Sequence, residues 1–497
     1  MHETDIEKRI LRHWKETRSK LQETLGGEMK KILIGIFALL ALFTSACGGS
    51  DSEGGAQTST SASEQQSSSD SSSSASEETA AEETAAEEAE PEETAAEEAE
   101  PEETTVEEEV AGPVAADESL PPVRIGLLNQ ENDPVGSFPE IRLGIEGAVA
   151  YINAELGGIG GHPIELVTCL QNSIPKAQEC AQDLATSDLV SVINGVNIWT
   201  FAFDFYGTMG ETPVIGGLPL FASDYNQPNA RYFNGGSVQV YSAAARFVAE
   251  ELGAKKVAVL VNQNPAATAA LDSGLAPIFD SYGIEYEAID VPIPLTDAIP
   301  PVSQAEASGA DLVMLLAAGN ECVPVIRAAN QLGIPAEEMF YSATCDTEDI
   351  YAEVGELMVG SYLHKGGYTI RETWAPAEVL AEFDGRDGLL DQYAPDAPDA
   401  SFTGLGWATM IDIYDLYEEI GYENLSNPST IIATMDDGQT RGRVGSFGWS
   451  CVYADIGLQS LCQGSALFVE IGDSSGISLP PAVIGPEGFV NGLDLLK

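Results

Sequence analysis

One stretch of the chain has the spacing of a serine nucleophile: Gly472-Asp473-Ser474-Ser475-Gly476 follows the G-x-S-x-G pattern. That pattern works only where a strand enters the turn and a helix leaves it, so that the hydroxyl stands exposed. Phe468–Ile471 reads as the strand, but Gly476-Ile477-Ser478-Leu479-Pro480-Pro481 starts a helix badly. The stretch therefore reads as a hairpin turn. Acid–base chemistry has little to work with. Of the four histidines, His2 and His13 lie near the N-terminus. His162 precedes Pro163 and His364 stands beside Lys365, and neither has a partner at the spacing that base catalysis needs. There is no Gly-rich phosphate loop and no metal-binding helix, and Asp384-Gly385-Arg386-Asp387-Gly388 is too irregular for a calcium loop. The sequence predicts no enzyme, no cofactor and no metal.

The thiols point to a compartment. Of the seven cysteines, Cys47 follows an apolar run and the other six lie in the C-terminal three quarters of the chain. An even number in an exported chain reads as disulfides, with connectivity open. Sequence neighbours pair as Cys169–Cys180, Cys322–Cys345 and Cys451–Cys462. A structural zinc site is the rival reading, and it lacks both a C-x-x-C pair and histidines.

Charge divides the chain into three parts. The net charge is −57. Residues 1–47 carry 8 basic and 6 acidic side chains, residues 48–122 carry 23 acidic and none basic, and residues 123–497 carry 50 acidic and 14 basic. So acidic a surface repels phosphate backbones, which argues against nucleic acid as a partner. Met29-Lys30-Lys31, the apolar run Ile32–Phe43 and Thr44-Ser45-Ala46-Cys47 describe an export signal over 29–46. The flank resembles a bacterial lipoprotein processing site, which implies lipid on Cys47, a membrane anchor and an extracytoplasmic location. Residues 1–28 do not fit in front of a signal and read as a mis-assigned leader, with Met29 as the start. Residues 47–118 are Ser-rich, then Glu/Ala/Pro repeats. One sign of charge and few apolar side chains cannot offset ordering entropy, so a disordered tether spanning up to about 250 Å is expected.

The elements that must position any site alternate. Strands are expected at 123–128, 164–168, 189–193, 213–215, 256–261, 284–289, 312–316 and 339–341. Helices are expected at 141–156, 176–186, 199–209, 240–252, 267–282 and 322–332. The pattern predicts an α/β fold of two Rossmann-like lobes with parallel sheets. Ligands in such sheets bind beyond the carboxyl ends of strands. Here those ends carry Asn129-Gln130, Asn197-Ile198-Trp199, Leu218-Pro219-Leu220, Asn264, Asn320-Glu321 and Thr344.

Ile141–Val167 (IRLGIEGAVAYINAELGGIGGHPIELV) resembles the first helix and second strand of the branched-chain amino-acid binding proteins. Leu252–Leu260, Gly309–Val313, Ile326–Gly333 and Gly406–Ile420 follow in that family's order, so the resemblance spans roughly residues 123–470. It implies a type I periplasmic binding protein: two lobes joined by three crossovers, closing on a small molecule that an ABC permease then takes. The implied lobes are 119–236 and 363–445 for the first, 237–362 and 446–497 for the second with the tail. A monomer is expected. The family's hydroxyl-rich carboxylate loops correspond here to Asn197-Ile198-Trp199-Thr200 and Leu218-Pro219-Leu220-Phe221. Its acidic positions fall near Ser237 and Thr344, and its tyrosine loops hold Asn264-Pro265-Ala266 and Ala317-Ala318. A desolvated zwitterion needs paired charges, and these loops lack a set. The expected wall is apolar and amide-lined: Asn129, Gln130, Phe138, Asn197, Trp199, Thr200, Leu220, Phe221, Asn264, Asn320 and Thr344. It suits an amino-acid-like, amide or other weakly polar solute. Trp199 and Phe221 fit core packing as well, and Glu321 serves either a cation or the helix start beside Cys322. The alternative functions are a ligand-sensing domain for a membrane receptor, or a cell-surface enzyme or adhesive domain.

Overall fold

The computed structural model describes residues 114–496, apart from 318, 366, 368–372, 399, 443–447 and 485–487. The leader, the signal segment, Cys47 and nearly all of the tether lie outside the described residues.

The first lobe is built from β1 (Val123–Gln130), α1 (Pro139–Glu155), β2 (Ile164–Gln171), α2 (Ile174–Thr186), β3 (Ser191–Asn194), α3 (Phe205–Met209), β4 (Val214–Gly217) and β5 (Ala230–Arg231). All its strands are parallel, in the order β2-β1-β3-β4-β5. Pairing of Val123 with Ile164 and of Ile125 with Ser191 sets the register. Central strands are buried on both faces, as helices on both sides require. The helix expected over 199–209 is broken. Ile198–Ala202 is a short 3-10 turn, and Asp204 then caps α3 by accepting from the Gly207 N–H at 2.9 Å. An aspartate that satisfies a helix start costs more in a helix interior than at its end.

The second lobe repeats the plan: α4 (Gly236–Glu250), β6 (Lys256–Asn262), α5 (Pro265–Ala270), α6 (Ala276–Tyr282), β7 (Glu285–Val291), α7 (Ile299–Ala307), β8 (Leu312–Leu316), α8 (Cys322–Leu332), β9 (Met339–Tyr341), α9 (Glu348–Met358) and β10 (Tyr362–Lys365). The parallel order is β7-β6-β8-β9-β10, the same as in the first lobe. The chain then forms α10 (Ala377–Tyr393), α11 (Ser401–Ile420) and α12 (Pro428–Met435). β11 (Ser465–Ile471) adds antiparallel to β10, with β12 (Ser478–Leu479) and β13 (Phe489–Asn491) on it.

Helix α11 belongs to the first lobe. Its Trp407, Met410 and Ile411 join the core around Ile141, Ile145 and Ile152 of α1. The crossing is close enough that a Cβ on Gly144 would lie 2.2 Å from the Thr403 carbonyl oxygen, and one on Gly406 would lie 2.1 Å from that of Ile141. Two boundaries move. His364 and Lys365 pair in the second sheet, so the crossover expected at 363 comes later. Trp449 and Cys462 lie in the first lobe's core and Leu461 bridges Tyr232, so the return expected at 446 comes near Ser465. Register along these short strands, rather than their hydropathy, decides which sheet they join.

The three disulfides join sequence neighbours: Cys169–Cys180, Cys322–Cys345 and Cys451–Cys462. Gly472–Gly476 is the turn between antiparallel β11 and β12, with Gly472 N–H donating to the Ile477 carbonyl at 2.7 Å. Among the described residues, no helix is long and apolar enough to cross a membrane, and no group of three or more His, Cys, Asp or Glu could hold a metal ion.

Candidate ligand-binding site

A cavity of about 140 Å³ lies where the strand ends of both sheets face each other. The first lobe supplies Phe138 before α1, Val196 and Ile198 after β3, and Leu218 and Leu220 after β4. The second lobe supplies Asn264, Ala266, Ala267 and Ala270 around the start of α5, Leu316 and Ala317 at the end of β8, and Ser342, Ala343 and Thr344 after β9. The crossovers complete it with Ser237 and Tyr241 of α4, and Ser401, Phe402 and Leu405 of α11. Gly236 starts the first crossover at φ 54°, and a Cβ there would lie 1.8 Å from the Pro219 carbonyl oxygen. Only glycine fits that close approach and that left-handed backbone.

Among the described lining residues there is no Asp, Glu, Lys or Arg. The three amides are committed to protein. Asn234 donates to the Gly217 carbonyl at 2.7 Å and accepts from Gly236 N–H. Gln239 links the Gly235 N–H to the Ser465 carbonyl. Asn264 caps α5 through the Ala267 N–H at 2.9 Å and donates to Asn262. Thr344 donates to the Ala317 carbonyl at 3.0 Å. His364, at the end of β10, is 6 % exposed and lines the cavity. Burial pushes its imidazole down to about 3, against the opposing pull of the Asp346 carboxylate. It is therefore neutral at physiological pH.

A second space of about 410 Å³ shares Phe138, Ala343, Thr344, Ser401 and Phe402 with the first and adds Asn320, Glu140 and Asp346. Burial raises the Glu140 carboxyl, with a further push from Glu131. Asp346 and Lys365 form a fully buried ion pair at 3.1 Å. Tyr351 donates to the same carboxylate at 2.9 Å and Ser401 at 2.5 Å, so a lobe-2 carboxylate holds the first residue of α11.

A family model described as "Periplasmic binding protein" matches residues 122–435. This chain belongs to the periplasmic binding protein family. No curated protein sequence matches it at a significant level. Among solved structures, this binding protein is similar to a leucine binding protein from Thermotoga maritima (14 % identity, 75 % of this chain and 99 % of that one, TM-score 0.57). It is similar to a solute binding protein from Rhodopseudomonas palustris in complex with p-hydroxybenzoic acid (19 %, 71 % and 95 %, TM-score 0.59). It is also similar to a branched-chain amino acid transporter substrate binding protein from Streptococcus pneumoniae in complex with isoleucine (18 %, 71 % and 97 %, TM-score 0.54). At these identities the likeness shows the shared fold.

Of the residues expected to form the binding protein's wall, Phe138, Leu220, Asn264 and Thr344 line the cavity, and Asn320 lines the adjoining space. The others lie outside the lining of both spaces. Asn129 donates to the Phe138 carbonyl at 2.8 Å and accepts from Val196 N–H. Gln130 donates to the Gly136 carbonyl and accepts from Ile198 N–H. Asn197 donates to the Leu128 carbonyl and accepts from Gln171. These amides knit the β1 and β3 loops together behind the wall, because loop N–H and C=O groups there have no ladder to join. Thr200 donates to the Asn197 carbonyl, and the Trp199 indole donates to Asp133 at 2.5 Å. Phe221 packs on Phe201, with ring centroids 5.3 Å apart. Glu321 is buried immediately before α8, beside the disulfide of Cys322. The sequence reading missed Ser237, Tyr241, His364, Ser401 and Phe402 as lining. A place at the end of a parallel strand was the available signal for His364, but that strand was not among those expected.

Proposed function

We propose that this binding protein captures a single-ring, uncharged or weakly polar solute between its lobes and delivers it to an ABC permease, held at the outer face of the cell membrane by lipid on Cys47. The absence of any ionised side chain among the described lining residues carries this reading. A zwitterion stripped of water needs opposite charges beside it, and the carboxylates nearest the cavity, Glu140 and Asp346, line the adjoining space instead. Size agrees: an apolar cavity of about 150 Å³ takes a benzene ring, and this one measures about 140 Å³. One similar structure holds p-hydroxybenzoic acid, a single-ring ligand. Ligand contact with both lobes would stabilise a closed state, the usual device of hinge-bending receptors. Phe138, Leu220, Phe402 and the Ala266–Ala267–Ala270 face would enclose the ring, and the tether would give the lobes reach from the membrane.

A thermal-shift panel tests this. Acetophenone, benzamide and benzyl alcohol should raise the melting temperature, because saturation at a hundred times Kd contributes about 2.7 kcal/mol. Leucine and isoleucine should leave it unmoved. A strong response to leucine with none to the ring compounds would overturn the reading.

A further inference from the structure

Most polar side chains around the cavity are already bonded within the protein. The Ser342 and Thr344 hydroxyls bond each other, and Thr344 donates onward to the Ala317 carbonyl. Ser401 donates to Asp346, and the amides of Asn234, Gln239 and Asn264 hold backbone groups and Asn262. The His364 Nε2 accepts from the Ala343 N–H, and its Nδ1 is sealed off from water. Two lining hydroxyls are left, those of Ser237 and Tyr241. Neither makes a hydrogen bond among the described residues, and neither oxygen is sealed off as Nδ1 is. Ser237 is only 8 % exposed, so the opening beside its oxygen is the space it lines. Tyr241 follows one turn later on α4, which puts the two on one helix face with Cβ atoms about 6 Å apart. A long helical side chain leans toward the N-terminus of its helix. Helix α4 starts at the cavity wall with Gly236, so Tyr241 leans toward that wall. Burial pushes its phenol up from the ordinary value, so the hydroxyl keeps its proton and donates at physiological pH.

We infer that the Ser237 and Tyr241 hydroxyls are the polar anchor of the cavity, both donating to one uncharged carbonyl oxygen on the bound ring compound. This rests on the reading of the cavity as a solute site and narrows it to ketones, lactams and related carbonyl compounds. A carbonyl oxygen has two lone pairs and no proton, so it takes up both donors and leaves nothing unpaired. An alcohol brings a further proton that needs its own acceptor, and the other lining groups are already committed. A carboxylate would lose its water beside two neutral hydroxyls, with no cation among the described lining residues to offset that cost.

The test compares acetophenone with α-methylstyrene, which has the same shape and a CH₂ in place of the oxygen. The mature chain should bind acetophenone about tenfold or more tightly than its isostere by calorimetry. Tyr241→Phe keeps the ring and removes only the hydroxyl, and Ser237→Ala does the same for the second donor. Each should cut the preference about fivefold by loosening acetophenone alone, and together they should bring the ratio close to one. Benzoate should bind the wild-type chain more weakly than acetophenone. Should a variant fail to fold, infrared spectra of carbonyl-labelled acetophenone on the wild-type chain decide: its stretch should fall below the frequency of the same ketone in hexane. Equal affinity for the two probes, a ratio untouched by Tyr241→Phe or by Ser237→Ala, tighter binding of benzoate, or a stretch at the hexane frequency would overturn the assignment while leaving the cavity a solute site. Binding of none of the three compounds would remove both readings.

Discussion

His364 also ties folding to acidity. Its imidazole sits at about 3 in the folded chain, against an ordinary value of 6.5. Between those values the unfolded chain binds a proton that the folded chain refuses, so stability rises with pH across that window and is lost as pH falls through it. The expected loss from this one residue is about 2 kcal/mol between about pH 6.5 and about pH 5. Urea midpoints at those two values should show it as a difference between wild type and His364→Phe. An equal slope in both would mean that His364 titrates normally. At this scale the sequence reading expected Phe138, Leu220, Asn264 and Thr344 at a ligand site, and these four side chains line the cavity. It also sent Asn129, Gln130 and Asn197 there, although their amides bond backbone groups of neighbouring loops.

At the scale of elements, the disulfides brace unequal things. Cys322–Cys345 ties the first residue of α8 to the turn that carries Ser342 and Thr344 into the cavity. Cys169–Cys180 ties the outer strand β2 to α2. Replacing either pair with serine should cost about 3 kcal/mol through the longer reach of the unfolded chain. Only the Cys322→Ser/Cys345→Ser variant should also weaken acetophenone binding, read by calorimetry under conditions where both variants are folded. Equal affinities would show that the turn needs no brace. Strands β1 to β4 and β6 to β9 were legible because each is a short apolar run between turn residues, whereas β5 and β10 were not expected. Helices α7, α9, α10 and α12 were not. Pro300-Pro301 obscures the start of α7, and α10 has only a thin apolar pattern.

For the whole molecule the surplus of acid governs the surface electrostatics. Residues 123–497 carry 50 acidic against 14 basic side chains. Many surface carboxylates have no cation to meet, and their mutual repulsion is relieved by screening within a Debye length of about 8 Å at physiological salt and about 3 Å at molar salt. The melting temperature should therefore climb as sodium chloride goes from low to molar concentration. A flat or falling curve would show that the charges are already spaced beyond mutual influence. Acidity of this kind speaks to solubility and surroundings, and it leaves the cavity uncharged.

The order of elements and the parallel sheets were set by the sequence itself, because each follows from local patterns of polarity and spacing. The tertiary structure decided which polar side chains line the cavity. A strand-end amide can turn toward the cavity or toward a backbone group, and its partners are remote in sequence, as Gln239 with Ser465 and Asn197 with Gln171 show. His364 reached the cavity because β10 pairs beside β9, a choice of register that no spacing along the chain encodes.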